Sequence, residues 1–196
     1  MRIEVRADNT VRICGYVNAV ERESRPVITP RGRMNELIES GVFRKALEER
    51  SNIDMTVDHD PTRVVAKTSD GTLKLKEDAI GLYADAVITD KSIAEEARAG
   101  RIKGWSFGMK CTSDEVEERA GKLSLRRVKG MVLGHVTLVN KKLPVYSATS
   151  VELRAGEEED IECRALEMDV ELTMEEERAK VDYSKYENRL KELEGE

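Results

Sequence analysis

Alternation constrains this chain more than any other feature. In Gly104-Trp-Ser-Phe-Gly-Met109 the bulky apolar residues Trp105, Phe107 and Met109 fall at every second position. That is the period of a strand with one face against a core. Ser106 then points to the opposite face, between two glycines, where something as large as a peptide carbonyl can approach it. The bland alternative is a glycine-softened strand with an incidental serine. Similar alternation runs through residues 2–7, 11–17, 53–57, 63–68, 72–76 and 81–88, and a short apolar run occupies 131–139. A further strand is expected at 123–129, after a charged hairpin-like excursion at 113–122, and Leu143–Leu153 closes the body. Seven or more short strands with few helices predict a mainly β (α+β) fold. The expected architecture is a closed or nearly closed β-barrel of about seven strands, ringed by a few helices.

The helical signals are fewer. Glu21–Arg33, with Pro26, Pro30 and Gly32, reads as a loop, and Met34–Ile38 as a turn of helix. Ser40 offers an N-cap for a helix through about Arg50 that gathers Val42, Phe43, Ala46 and Leu47 on one face. Ser92-Ile-Ala-Glu95 is a capping box, and Gly100 stops the helix it opens. From residue 155 to 196 there are 16 acidic and 6 basic residues, although the whole chain is only −6. This asymmetry predicts a barrel domain over 1–154 and an acidic linker with a C-terminal helix over 155–196. In that tail Thr173-Met-Glu-Glu176 is a second capping box. Ala179, Tyr183, Tyr186, Leu190 and Leu193 beyond it form an amphipathic stripe suited to pairing with another copy or another protein.

Composition removes several classes of function. Cys14, Cys111 and Cys163 are odd in number and lack metal-ligand spacing, so they read as reduced thiols in a cytosolic setting. No apolar run approaches the roughly 18 residues of a membrane helix, and the N-terminus lacks the apolar core of a signal peptide. Basic stripes interleaved with aromatics are missing, which disfavours nucleic acid as a partner.

The chain has two histidines, His59 and His135. In Ile53-Asp-Met-Thr-Val-Asp-His59 the imidazole is in phase with Ile53, Met55 and Val57, and therefore belongs to the inward face near a strand end. His135 lies within the apolar run 131–139. Two such histidines and a serine between glycines make a nucleophile, a base and an orienting group plausible. Gly104-x-Ser-x-Gly108 also matches the nucleophile elbow of α/β-hydrolases, but that elbow requires a helix after the serine, and here the strand continues. A zinc site built from His59, His135 and Asp58 or Asp60 is a second possibility. It leaves the serine unexplained and lacks His-Glu-x-x-His spacing.

The succession of segments resembles the tailed-phage prohead (capsid maturation) protease family. The resemblance rests on Gly15-Tyr16, Ile38–Phe43 with Leu47, His59-Asp60, Val64–Thr68, Leu73, Gly81-Leu-Tyr83, Gly104–Gly108, His135–Val139 and Leu143–Ser150, and covers roughly residues 13–154. It implies a fold similar to the herpesvirus maturation proteases. It also implies His59 as general base, Ser106 as nucleophile and His135 as third member of a triad, with Asp58 and Asp60 as substitutes in that third role. Gly104, Phe107 and Gly108, with Lys141 and Lys142, are the candidates for oxyanion and substrate support. No cofactor and no metal are expected. The implied substrates are the major capsid protein and scaffold, met inside the procapsid in the host bacterial cytoplasm by a homo-oligomer such as a dimer. Self-cleavage near Ala148, Ala155 or Ala165 accompanies that reading. The rival of a different class is a non-catalytic capsid assembly or scaffold protein that keeps the fold.

Overall fold

The computed structural model describes residues 1–140, 161–167 and 169–175. In chain order the strands are β1 (Arg2–Val5), β2 (Val11–Ala19), β3 (Val27–Thr29), β4 (Gly32–Ile38), β5 (Asp54–Val57) and β6 (Asp60–Lys67). After these come β7 (Leu73–Glu77), β8 (Gly81–Ile88), β9 (Gly104–Glu117), β10 (Leu125–Val139), β11 (Glu162–Glu167) and β12 (Glu171–Met174). Two short helices, α1 (Val42–Glu49) and α2 (Lys91–Arg98), complete the described elements.

The mainly β expectation holds, but among the described residues the strands do not close into a barrel. They form two open sheets: one in the order β12-β1-β2-β8-β7, and a seven-stranded one along β11-β9-β10-β4-β3. β5 joins the second sheet on β10, and β6 pairs with β5. β10 is long enough to carry two parallel neighbours at different heights, β4 along Leu125–Val128 and β5 along His135–Leu138. Apolar side chains from both sheets meet in a single core that includes Ile3, Ile13, Leu82, Trp105, Phe107 and Leu133.

Several local expectations yield to tertiary pairing. Met34–Ile38 is strand rather than helix, because β10 supplies a parallel ladder that a lone turn of helix cannot match. The two strands expected at 123–129 and 131–139 are one, Leu125–Val139, with register shifts on either side of Gly130, and β9 runs on to Glu117 into the stretch read as a charged excursion. Helix α1 starts after Gly41, whose φ of 88° suits glycine, and not from a Ser40 side-chain cap. In α2 the cap is Asp90, whose carboxylate accepts from the Ser92 N–H at 2.8 Å.

The acidic stretch contributes two strands. β11 lies antiparallel on β9, and β12 runs parallel to β1. Thr173 and Met174, read as the start of a capping box, therefore belong to a strand. Leu143–Leu153, Lys141, Lys142 and the amphipathic stripe from Ala179 to Leu193 lie outside the described residues.

Helix α1 closes the core by placing Phe43 edge-to-face on Phe107, at 5.4 Å between ring centres. Both rings are fully buried. Phe43→Ala is expected to cost about 3–5 kcal/mol, read as a lower midpoint with an unchanged slope in denaturant unfolding. A loss below about 1 kcal/mol would show that α1 does not seal this core.

Candidate active site

Ser106, His59 and His135 arrive from three separate segments. Ser106 lies in β9 opposite Thr137 of β10, and His135 lies in β10 opposite Gly108 of β9. A register shift between Leu133 and His135 adjusts the second position. His59 is delivered differently from the in-phase strand that its sequence suggests. β5 ends at Val57, and Asp58 and His59 then take the left-handed conformation, with φ of 50° and 58°. Such residues cost roughly 1–3 kcal/mol each and persist only where their surroundings over-determine them. Here the Asp58 N–H donates to the Leu138 carbonyl at 2.8 Å, and the Asp58 carboxylate accepts from the Asn140 N–H at 2.9 Å. The His59 N–H donates to Thr137 Oγ1 at 3.1 Å. The turn is fastened to β10 beside the residue that faces Ser106.

The result is a relay. His59 Nε2 lies 2.7 Å from Ser106 Oγ, and His59 Nδ1 lies 2.7 Å from His135 Nε2. The Ser106 hydroxyl is also 2.7 Å from the carbonyl oxygen of Arg164 in β11. One hydroxyl hydrogen can serve only one of these partners. In the first arrangement His135 donates to His59, His59 to Ser106 and Ser106 to Arg164, which satisfies every group and leaves the serine inert. In the second the hydroxyl donates to His59 and His59 donates to His135, which leaves His59 poised as a base.

Burial sets the charge state of both rings. It pushes His59 down to about 4, with nearby His135 adding to the shift and Asp58 opposing it. His135 is lowered by burial first, then by Arg50, against Asp54. Both imidazoles are therefore neutral near pH 7, the form a proton relay needs. A pocket of about 170 Å³ opens beside them, lined by Asp54, Thr56, His59, Pro61, Val64, Gly134 and His135.

The other expected residues play narrower parts. Gly108 makes room for a ring, since a Cβ there would lie 2.4 Å from His135 Cε1. Phe107 turns its side chain into the core, so only its backbone can face a substrate. Gly104 starts β9 opposite Val139. Asp60 accepts from Thr62 at 2.9 Å, Asp58 holds the turn, and His135 occupies the place at Nδ1 for which they were alternatives. Among the described residues no three metal-capable side chains converge.

Ser106, expected on an open face, is fully buried. β11 covers it, with Ala165 opposite Ser106 and Arg164 opposite Phe107. Arg164 belongs to a buried ionic cluster with Glu36, Arg126, Glu162 and Asp114, which the sequence reading missed. No local pattern marks it, because Glu36 and Arg164 are 128 residues apart.

The family model of the caudovirus prohead serine protease matches residues 1–163. The chain belongs to that family. None of the curated proteins matches it. The family match spans the turn at His59, the serine strand and the strand of His135, and ends at the second residue of β11.

Two measurements follow. Each histidine binds fewer protons folded than unfolded wherever pH lies between its lowered pKa and the ordinary value near 6.5, so stability rises with pH there. In an NMR titration His59 is expected to stay neutral down to about pH 4, while folding stability falls as pH drops from about 6.5 towards 4. Titration of His59 near 6.5 would contradict the buried relay. Gly108→Ala is expected to displace His135 and lower kcat by about 10²-fold, with an unchanged fold by circular dichroism. Full activity in that variant would remove His135 from the relay.

Proposed function

We propose that this chain is a serine endopeptidase that processes proteins of capsid assembly inside the procapsid, with Ser106 as nucleophile, His59 as general base and His135 as the group that orients His59. Family membership supports the class of enzyme and the capsid setting. The single observation that carries the residue assignment is the pair of 2.7 Å contacts linking Ser106, His59 and His135.

Ser106 Oγ attacks a peptide carbonyl while His59 Nε2 accepts its proton and then returns it to the leaving amine. His135 accepts from His59 Nδ1–H and keeps the ring in the tautomer whose Nε2 is free to act. A neutral imidazole stabilises the developing imidazolium less than a carboxylate would, so turnover is slow. That suits an enzyme held at high concentration with its substrate. The oxyanion hole draws on backbone N–H groups near the serine, with Phe107 and Gly108 the nearest on β9. The implied substrates are the capsid protein and scaffold.

A fluorophosphonate is expected to label wild-type protein at Ser106 and to leave Ser106→Ala unlabelled, because labelling requires an activated hydroxyl. His59→Ala should lower peptide hydrolysis by roughly 10⁴-fold or more, with His135→Ala retaining more activity than His59→Ala. Equal labelling of wild type and His59→Ala would sink the assignment. Co-expression with the capsid protein, wild type against Ser106→Ala, tests the substrate class through the mass of the capsid subunit.

A further inference from the structure

We infer that β11 is a substrate strand seated in the protease's own substrate groove, and that Glu36 and Arg126 read the substrate through an arginine and a glutamate two residues before it. The inference rests on the serine-protease reading above and adds its specificity. Without β11, strand β9 would be an edge of the sheet, open to strand addition. β11 fills that edge antiparallel, and the carbonyl it brings within 2.7 Å of Ser106 Oγ is that of Arg164. The bond presented for cleavage is therefore Arg164–Ala165.

Main-chain pairing tolerates many sequences, so discrimination must come from side chains. Glu162 and Arg164 are two apart on a strand and share a face. Both are buried there, against charges fixed on the body. Glu36 of β4 grips Arg164 with two bonds, Nε to Oε1 at 2.7 Å and Nη2 to Oε2 at 2.9 Å. Arg126 of β10 grips Glu162 likewise, at 2.6 and 2.9 Å. Arg126 is itself set by Asp114 at 2.6 Å and Glu36 at 3.1 Å. Paired planar forks of this kind are selective. A neutral residue in place of Arg164 would leave the Glu36 carboxylate, only 3% exposed, buried with half its partners missing.

The pattern Glu-x-Arg-Ala also recurs in the sequence. It stands at Glu152–Ala155, where the acidic stretch begins, and at Glu176–Ala179 within it, besides Glu162–Ala165. Its three remaining occurrences lie within the described residues and serve the fold. Glu4-Val-Arg-Ala7 starts in β1, which is paired on both sides. Glu96-Ala-Arg-Ala99 closes helix α2, and in Glu117-Glu-Arg-Ala120 the guanidinium of Arg119 is tied to Glu23.

Cleavage starts from the second hydrogen-bond arrangement. Ser106 Oγ bonds to the Arg164 carbonyl carbon as its proton passes to His59 Nε2. The bond from that carbon to the Ala165 nitrogen breaks as the proton moves on to the nitrogen. Water then adds to the acyl carbon and gives a proton to His59, which returns it to Oγ as the ester breaks. The products are a chain ending in the Arg164 carboxylate and one beginning with the Ala165 amine. While β11 lies with its carbonyl holding the hydroxyl, the relay rests, and an outside substrate must displace it.

The test uses full-length wild type as enzyme, full-length Ser106→Ala as substrate, and intact mass to locate the cut, with fluorophosphonate labelling of the same enzyme in parallel. A cut at Arg164–Ala165 is expected, slowed about tenfold or more by Arg164→Gln in the substrate chain. A synthetic peptide of residues 157–170 and its Arg164→Gln form should show the same contrast without any dependence on substrate folding. Glu36→Gln in the enzyme should shrink the kcat/KM ratio between those two peptides. An enzyme labelled at Ser106 that leaves the Arg164–Ala165 bond intact in chain and peptide, or cuts both peptides equally, overturns the inference and leaves the protease reading standing. An enzyme neither labelled nor active overturns both.

Discussion

The antiparallel ladder between β9 and β10 is the constraint on which the rest of this structure depends. It pairs Gly104 with Val139 at one end and Glu117 with Leu125 at the other. Within it Ser106 faces Thr137 and Gly108 faces His135. The hydroxyl opposite Ser106 holds the backbone of His59, and the glycine opposite the second histidine leaves room for its ring. A slip of one residue would turn every one of these side chains to the wrong face of the sheet. The same two strands carry the apolar residues Trp105, Phe107, Met109, Leu133, Val136 and Leu138, all fully buried. The register that assembles the relay is therefore the register that fills the core, and the hydrophobic effect enforces both together.

Charge is divided between two places. The relay uses groups that burial keeps neutral, and Asp58, adjacent to His59 in sequence, is spent on fastening the turn. The strand that covers the serine is held by full charges, in a cluster where, against the opposing effect of burial, pairing with Arg126 and Arg164 holds Glu162 below the usual carboxylate range. Buried ion pairs add little net stability, because desolvation consumes most of the Coulomb energy. They are strict about geometry, however, since a missing partner leaves an uncompensated charge. On the proposed reading, a neutral centre for proton transfer lies beside a charged cluster for strand recognition, which would separate chemistry from selection.

Period-2 alternation and rarity carried much of the residue-level reading. Trp105, Phe107 and Met109 announced a strand, and the matched pair Gly104 and Gly108 drew attention to the serine between them. With two histidines in the chain, each candidate base could be named by residue type alone. Where local pattern was the only guide it misled. Met34–Ile38 has apolar spacing compatible with a helix, yet a ladder with a strand some 90 residues later made it extended. Thr173 begins a formal capping box and lies instead in a strand beside the N-terminus.

The candidate site residues and the mainly β class were legible along the chain itself, because alternation and residue type are local properties. The division of the strands into two open sheets, the left-handed turn that aims His59, the ionic cluster and the covering of Ser106 were decided only by the tertiary structure. Each depends on groups brought together from distant parts of the chain. A backbone conformation such as that of His59 is chosen by the bonds that hold it, and those bonds come from a strand about 80 residues away.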